Sequence, residues 1–269
     1  MIQWTECHSS VTYAVLVPVV YVGFTRLASY NVPHSDSRKT ILRRFVGASV
    51  ASVILCLIAL YWKPQNESAL EFFGFRRSGL FLALILPTTV TAFLFLGPWC
   101  LSLFVSYPSD DDEKNSFTIL VRNYLLAPLT EELVFRSCAL RVMVLCMSWM
   151  KGCLISPLFF AIAHIHHALE RKREGYSWQD ILCTVGLQVG FSYLFGVYAS
   201  FIYLRTRHFM SVFLCHVFCN FMGFPDVSLL SLVDSKKRRF VLLCFFIGAL
   251  LWISFLLPFT DPRLYGNSL

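Results

Sequence analysis

Apolar residues fall in long unbroken runs, at roughly 11–28, 45–62, 80–106, 117–149, 153–167, 179–204, 209–225 and 240–259. Short polar stretches such as NVPHSDSRKTILRR, KPQNESALEFFGFRR and DSKKRR separate them. A hydrocarbon core of about 30 Å needs about 20 apolar helical residues, so the runs predict about eight transmembrane segments. A transmembrane β-barrel would instead show repeated segments of about ten residues with alternating polarity. Unbroken runs predict helices, which satisfy their own backbone groups in lipid. The expected fold is therefore all-α, a polytopic membrane bundle of about eight helices with a buried polar cavity. Two runs are short, 153–167 and 209–225, and they carry His164, His216 and Asn220. Polar residues in such segments are expected to face neighbouring helices rather than lipid. The run at 117–149 is too long for one straight crossing and contains Pro128. It predicts a kink there, or an amphipathic piece ahead of the true span.

Composition agrees. The 269 residues are 57% hydrophobic and 14% charged, with mean hydropathy +0.62, against about 25% charged in soluble domains. No polar stretch is long enough to build a soluble domain, and neither an internal repeat nor a low-complexity tract is present. The net charge of +7 is modest once spread over the loops and reflects the positive-inside bias, so nucleic-acid binding is not implied. Eight spans put 14 basic residues on one side and seven on the other. The richer side is the expected cytosolic one, with both termini opposite. The acidic run at 109–114 reads as a solvated loop, and Asn66, in an NES sequon, falls too near a span end for glycosylation to be expected. The N-terminus lacks the basic region of a cleavable signal peptide. Ten cysteines are scattered without a CxxC pair and read as small apolar fillers.

Against this apolar background stands APLTEELVFR at 127–136. An ionisable residue at the centre of a span costs roughly 2.5–3.5 kcal/mol, and several together approach a whole stability margin of about 5–15 kcal/mol. Pairing is one remedy. Glu132 and Arg136 are four residues apart and share a helix face. Glu131 is turned about 100° away and is directed at a different neighbour. Phe160 and His164 are also four apart, as are His216 and Asn220. Taken singly, a buried histidine reads as a structural hydrogen-bonder and Glu132–Arg136 as a structural ion pair. Their co-occurrence on three segments points to chemistry.

The chemistry this set suits is amide hydrolysis without a covalent intermediate. A carboxylate in a dry cavity becomes a better base near neutral pH, and a neighbouring histidine can share the water and move its proton. His and Asn side chains are suitable oxyanion donors, while Glu132 with Arg136 would orient the reactive carboxylate. A zinc site built from Glu131, His164 and His216 with one open position is the alternative. There is no HExxH, so metal-independent hydrolysis is the favoured expectation and zinc is left open. His166 and His167, in HIHH, read as interfacial residues beside the basic loop.

The three motifs EExxxR, FxxxH (FAIAH at 160–164) and HxxxN (HVFCN at 216–220), in this order in a polytopic chain, resemble the type II CAAX prenyl endopeptidases. The flanking SPLFFAIAHIHH and LCHVFCNFMGFP are similar to the eukaryotic branch, and the resemblance covers about 128–226. It implies a single membrane protease domain over 1–269 with its catalytic core at about 117–226. It implies an endoplasmic reticulum enzyme, open to the cytosol, that removes the last three residues of prenylated CaaX proteins such as small GTPases. Glu131 and His164 would activate water, His216 and Asn220 would hold the oxyanion, and Glu132, Arg136 and Phe160 would support them, with no cofactor. Partners would be those substrates and membrane lipid. Two other readings remain open, a related membrane protease acting on non-prenylated peptides and a non-enzymatic membrane scaffold.

Overall fold

The structure, a computed structural model, describes residues 4–32, 37–105 and 117–267, which leaves the acidic run at 109–114 outside the described residues. We label the principal helices α1 (Trp4–Ala28), α2 (Arg38–Ala59), α3 (Leu80–Leu94), α4 (Leu96–Ser102), α5 (Ala127–Glu132), α6 (Trp149–Ala163), α7 (His166–Arg173), α8 (Trp178–Thr206), α9 (Phe209–Met222) and α10 (Ser235–Phe259). No strand occurs among the described residues.

Each of the eight apolar runs is mostly helical among the described residues. Five stretches are long and apolar enough to cross a membrane: Cys7–Ala28, Arg38–Trp62, Trp149–Arg173, Trp178–Thr206 and Ser235–Phe259. A sixth is the α3–α4 pair, bent by 63° at its break. The last two runs differ from a plain crossing. Helix α9 has only 14 residues, and the stretch 117–143 alternates between α and π turns. The boundaries also move. The run at 153–167 extends to Trp149–Arg173, because α7 continues it with the polar sequence HHALERKR. The run at 117–149 ends its helix at Met143, and Ser148 then caps α6 by accepting from the Lys151 amide.

Pro128 lies in α5 between two π segments, Arg122–Leu126 and Leu133–Leu140. Proline offers no amide and crowds the preceding turn. The wide turn before it re-pairs the backbone, with the Ala127 amide donating to the Arg122 carbonyl five residues back. The EExxxR residues therefore straddle a change of helical pitch, a feature often associated with functional sites.

The chain forms two compact units, Met1–Phe75 with Leu129–Leu204, and Arg76–Pro128 with Arg205–Leu269. In the first unit, α1, α2 and α6 pack around the Leu133–Leu140 segment. Tyr13, Val17, Leu55, Phe135 and Phe160 are buried in its core. Contact between α1 and α2 is close at Gly47, where an added Cβ would stand 2.5 Å from the Phe24 carbonyl oxygen. Ser137 donates to the Phe73 carbonyl at 2.7 Å, and Arg141 pairs with Glu67 at 2.8 Å. These two contacts fix the lower end of the helix to the loop after α2. Cys7 and Cys146 form a disulfide. This corrects the expectation that all ten cysteines are fillers, because both lie at one end of the unit, Cys7 near the start of α1 and Cys146 in the turn before α6.

In the second unit, α3, α4, α9 and α10 pack together. Gly248 lets α10 approach α3, since a Cβ there would meet the Phe93 carbonyl oxygen at 2.3 Å. Helix α9 is tied to α3 by Ser211 donating to the Ala83 carbonyl at 3.2 Å and by Thr91 donating to the Cys215 sulfur at 3.2 Å.

Candidate active site

The first unit gathers five of the expected residues. Glu132 and Arg136 form the anticipated ion pair, Oε1 to Nη1 at 3.1 Å, with relative exposures of 0% and 1%. So deep a pair needs further compensation, and aromatic rings provide it. The guanidinium carbon lies 4.3 Å from the centroid of the Phe160 ring and 5.5 Å from that of Phe195. Gly196 admits the second guanidinium nitrogen, which would be 3.5 Å from a Cβ at that position.

Phe160 also faces His164. Their ring centroids are 4.8 Å apart, edge to face. One aromatic residue thus touches the arginine of the first motif and the histidine of the second. His164 Nδ1 lies 2.9 Å from the Phe160 carbonyl oxygen. A carbonyl only accepts, so Nδ1 carries the hydrogen. In the neutral ring Nε2 is then the proton-accepting nitrogen, the tautomer a general base requires.

Glu131 and His164 are both half-buried, between the closed environment of Glu132 and open exposure. Glu131 lies within electrostatic reach of Tyr21 on α1 and of Arg136. This refines the expectation that Arg136 serves Glu132 alone, because the arginine feels both carboxylates. The preceding residue, Thr130, shares a 2.8 Å hydrogen bond with Tyr21, whose ring packs edge-on against Phe135. Nothing in the hydrophobic pattern singles out Tyr21 as a neighbour of the site, since tyrosine is ordinary in a span.

His216 and Asn220 belong to the second unit, on α9, as the HxxxN spacing predicts. His216 is buried at 7% exposure, whereas Asn220 is exposed. Asn220 donates one amide hydrogen to the Asn123 carbonyl at 2.9 Å. That carbonyl belongs to the Arg122–Leu126 π segment, so the stretch leading into APLTEELVFR is held by the third motif. An apolar cavity of about 870 Å³ flanks the same helix, lined by Phe93, Phe95, Trp99, Phe218, Phe221 and Met222, among others. By helical spacing its α9 residues lie on the side away from His216 and Asn220.

A cluster of possible metal ligands among the described residues lies elsewhere: His166, His167 and Glu170 have ligand atoms within 4.8 Å of one another. Two guanidiniums already hold this glutamate, Arg26 at 3.0 Å and Arg44 at 2.6 Å, a setting hostile to an added cation. His167 Nδ1 takes the other carboxylate oxygen at 2.8 Å. His167 therefore belongs to a polar network, and the His166 carbonyl accepts from Arg26 of the same network. Sequence reading also missed Arg26, Arg44 and Glu170. They come from three helices, and only their convergence marks them.

Comparison with known proteins completes the picture. Residues 113–222 match the family described as "Type II CAAX prenyl endopeptidase Rce1-like". The chain is 34% identical to human "CAAX prenyl protease 2", over 97% of this chain and 84% of that protein. Similarity to the rat and Arabidopsis thaliana proteins of that name is 32% and 27%, each over 97% of this chain and covering 83% and 90% of theirs. No solved structure matches.

Proposed function

The chain belongs to the type II CAAX prenyl endopeptidases and is a membrane protease of CAAX processing; from that premise we propose that it removes the C-terminal aaX tripeptide of prenylated CaaX proteins, small GTPases among them, with a water activated by Glu131 and His164. The observation that carries this reading is the Phe160–His164 pair, whose hydrogen bond leaves Nε2 as the basic nitrogen while the same phenyl ring covers the Arg136 guanidinium.

In the proposed mechanism Glu131 and His164 Nε2 hold the attacking water and take its proton as the carbon–oxygen bond forms. His216 and the remaining amide hydrogen of Asn220 donate to the oxyanion, an arrangement in which each donor is typically worth about 10²–10³ in turnover. His164 then returns the proton to the departing nitrogen. Glu132 and Arg136 fix the helix that presents Glu131. The chemistry requires no metal.

The disulfide supports the orientation. Disulfides persist in oxidising compartments, so the Cys7–Cys146 end of the first unit is assigned to the lumen of the endoplasmic reticulum, in agreement with the distribution of basic residues. Glu131 lies 12 residues along the helix from Met143 and His164 15 residues from Trp149, the helix ends next to Cys146, roughly 18–22 Å at 1.5 Å per residue. They sit near the cytosolic face, where a tail of a soluble protein arrives.

Membranes containing the protein should release the tripeptide from a farnesylated CaaX peptide, and should continue to do so in the presence of a strong chelator. Equal release by Glu131→Ala membranes would sink the proposal. Equal cleavage of the peptide without its lipid would favour a protease of non-prenylated substrates. Loss of activity with the chelator, restored by zinc, would replace the metal-free mechanism.

A further inference from the structure

Five residues beyond Tyr21 on α1, the site is bordered by a cationic cluster with no part in the hydrolytic step. Arg26 Nη1 and Arg44 Nη2 converge on the same Glu170 oxygen, at 3.0 and 2.6 Å. Arg26 also donates through Nη2 to the His166 carbonyl at 3.0 Å, two residues past His164. Two guanidiniums against one carboxylate leave a surplus positive charge, and Arg171, Lys172 and Arg173 on α7 add to it. The arginine side chains are 28% and 29% exposed. An anion can therefore reach them.

The substrate supplies such an anion. Every aaX tripeptide ends in a free carboxylate three residues past the scissile bond, and three extended residues span at most about 10 Å. Tyr21 bonds Thr130, the neighbour of Glu131, and Arg26 lies five residues further along α1, about 7.5 Å at 1.5 Å per residue. The axial offset along α1 from the residue that bonds the neighbour of Glu131 to Arg26 is thus within the reach of the leaving peptide, and Arg26 also reaches the carbonyl two residues past His164.

We propose that Arg26 and Arg44 form the subsite that receives the C-terminal carboxylate of the substrate, with Glu170 occupying that position until the substrate displaces it. The subsite sets the register of cleavage, because only a chain ending three residues beyond the scissile bond places its carboxylate on both guanidiniums while its peptide carbonyl lies at the water. This rests on the assignment of Glu131 and His164 to the reaction.

The test compares two farnesylated peptides of identical sequence, one ending in the free acid and one in the amide, with the full-length protein in lipid. Charge-assisted hydrogen bonds of this kind correspond to a KM for the amide on the order of ten- to a hundredfold higher. In Arg26→Gln and Arg44→Gln the amide-to-acid KM ratio should fall toward one, and Arg44→Lys should restore part of it. Glu170→Gln removes the resident competitor and should lower KM for the acid severalfold. A wild-type ratio near one overturns the proposal whether or not any variant folds. So does an unchanged ratio in both glutamine variants, the result expected if the arginines serve only the membrane surface. Cleavage of neither peptide by the wild type would instead defeat the proposed function, and this subsite with it.

Discussion

The first unit contains two arginine–glutamate clusters of opposite character. Glu132–Arg136 is sealed, at 0% and 1% exposure, with the two groups paired at 3.1 Å and aromatic rings over the guanidinium. Arg26–Glu170–Arg44 is half-open, with two cations sharing one carboxylate. Surroundings, not residue type, decide what each can do. A charge without access to water cannot exchange partners at low cost, because its bare partner would remain buried. The sealed pair is fixed, as the role proposed for it in holding Glu131 requires. The open cluster can exchange an internal carboxylate for an external one, since solvent covers the transition.

The largest expected effect tests whether the sealed pair and its neighbour Glu131 have separate roles. Glu131→Ala should lower tripeptide release by about 10²–10⁴ while the thermal stability of the solubilised protein stays near wild type. A stability loss as large as the activity loss would show that Glu131 belongs to the structural pair. Next in size, Arg136→Met should destabilise by about 3–5 kcal/mol, because it leaves Glu132 buried without its cation. Glu132→Leu combined with Arg136→Met should cost clearly less than the sum of the single changes, measured by thermal or denaturant unfolding in detergent. Additive losses would mean that the two side chains act independently.

Much of this was legible in the sequence, for reasons that differ between residues. Unbroken apolar runs specify membrane helices because lipid permits little else, and each run is mostly helical among the described residues, five or six of them long enough to span. The Glu132–Arg136 and Phe160–His164 contacts follow from i, i+4 spacing, and both occur. Spacing within one helix says nothing about contacts between helices. Tyr21 beside Thr130, Arg141 with Glu67, and the Arg26–Glu170–Arg44 cluster join residues 74 to 144 positions apart, and none is visible as a pattern. The same holds for Cys7–Cys146, separated by 139 residues. The π turns around Pro128 were hidden as well. A proline announces a disturbed helix, but whether the backbone kinks or widens depends on what packs against it.

A smaller effect reaches the open cluster through its scaffold. Gly47→Ala places a Cβ against the Phe24 carbonyl and forces α2 away from α1, a clash with backbone that no rotamer relieves. Overpacking of this kind costs about 1–3 kcal/mol. Arg26 and Arg44 lie one turn or less from this contact, so the substitution should also separate the two guanidiniums and weaken their convergence on Glu170. Thermal unfolding gives the first effect. The second appears as a lower amide-to-acid KM ratio with both arginines intact. An unchanged ratio would mean that the cluster is held by its own ion pairs and not by the helix contact.

The smallest effect sharpens the contrast most directly. Arg44→Gln should change stability by no more than about 1 kcal/mol, the range of solvent-exposed ion pairs, because Arg26 still holds Glu170 and water reaches what remains. The difference from wild type should shrink further as salt is raised, since partly exposed charges are screened. Arg136→Met should show no comparable salt dependence, its pair being closed to ions. Unfolding of both variants at low and high ionic strength reads the two behaviours side by side. A salt-insensitive loss of several kcal/mol in Arg44→Gln would make the open cluster a second structural pair and remove the physical basis for any exchange of Glu170.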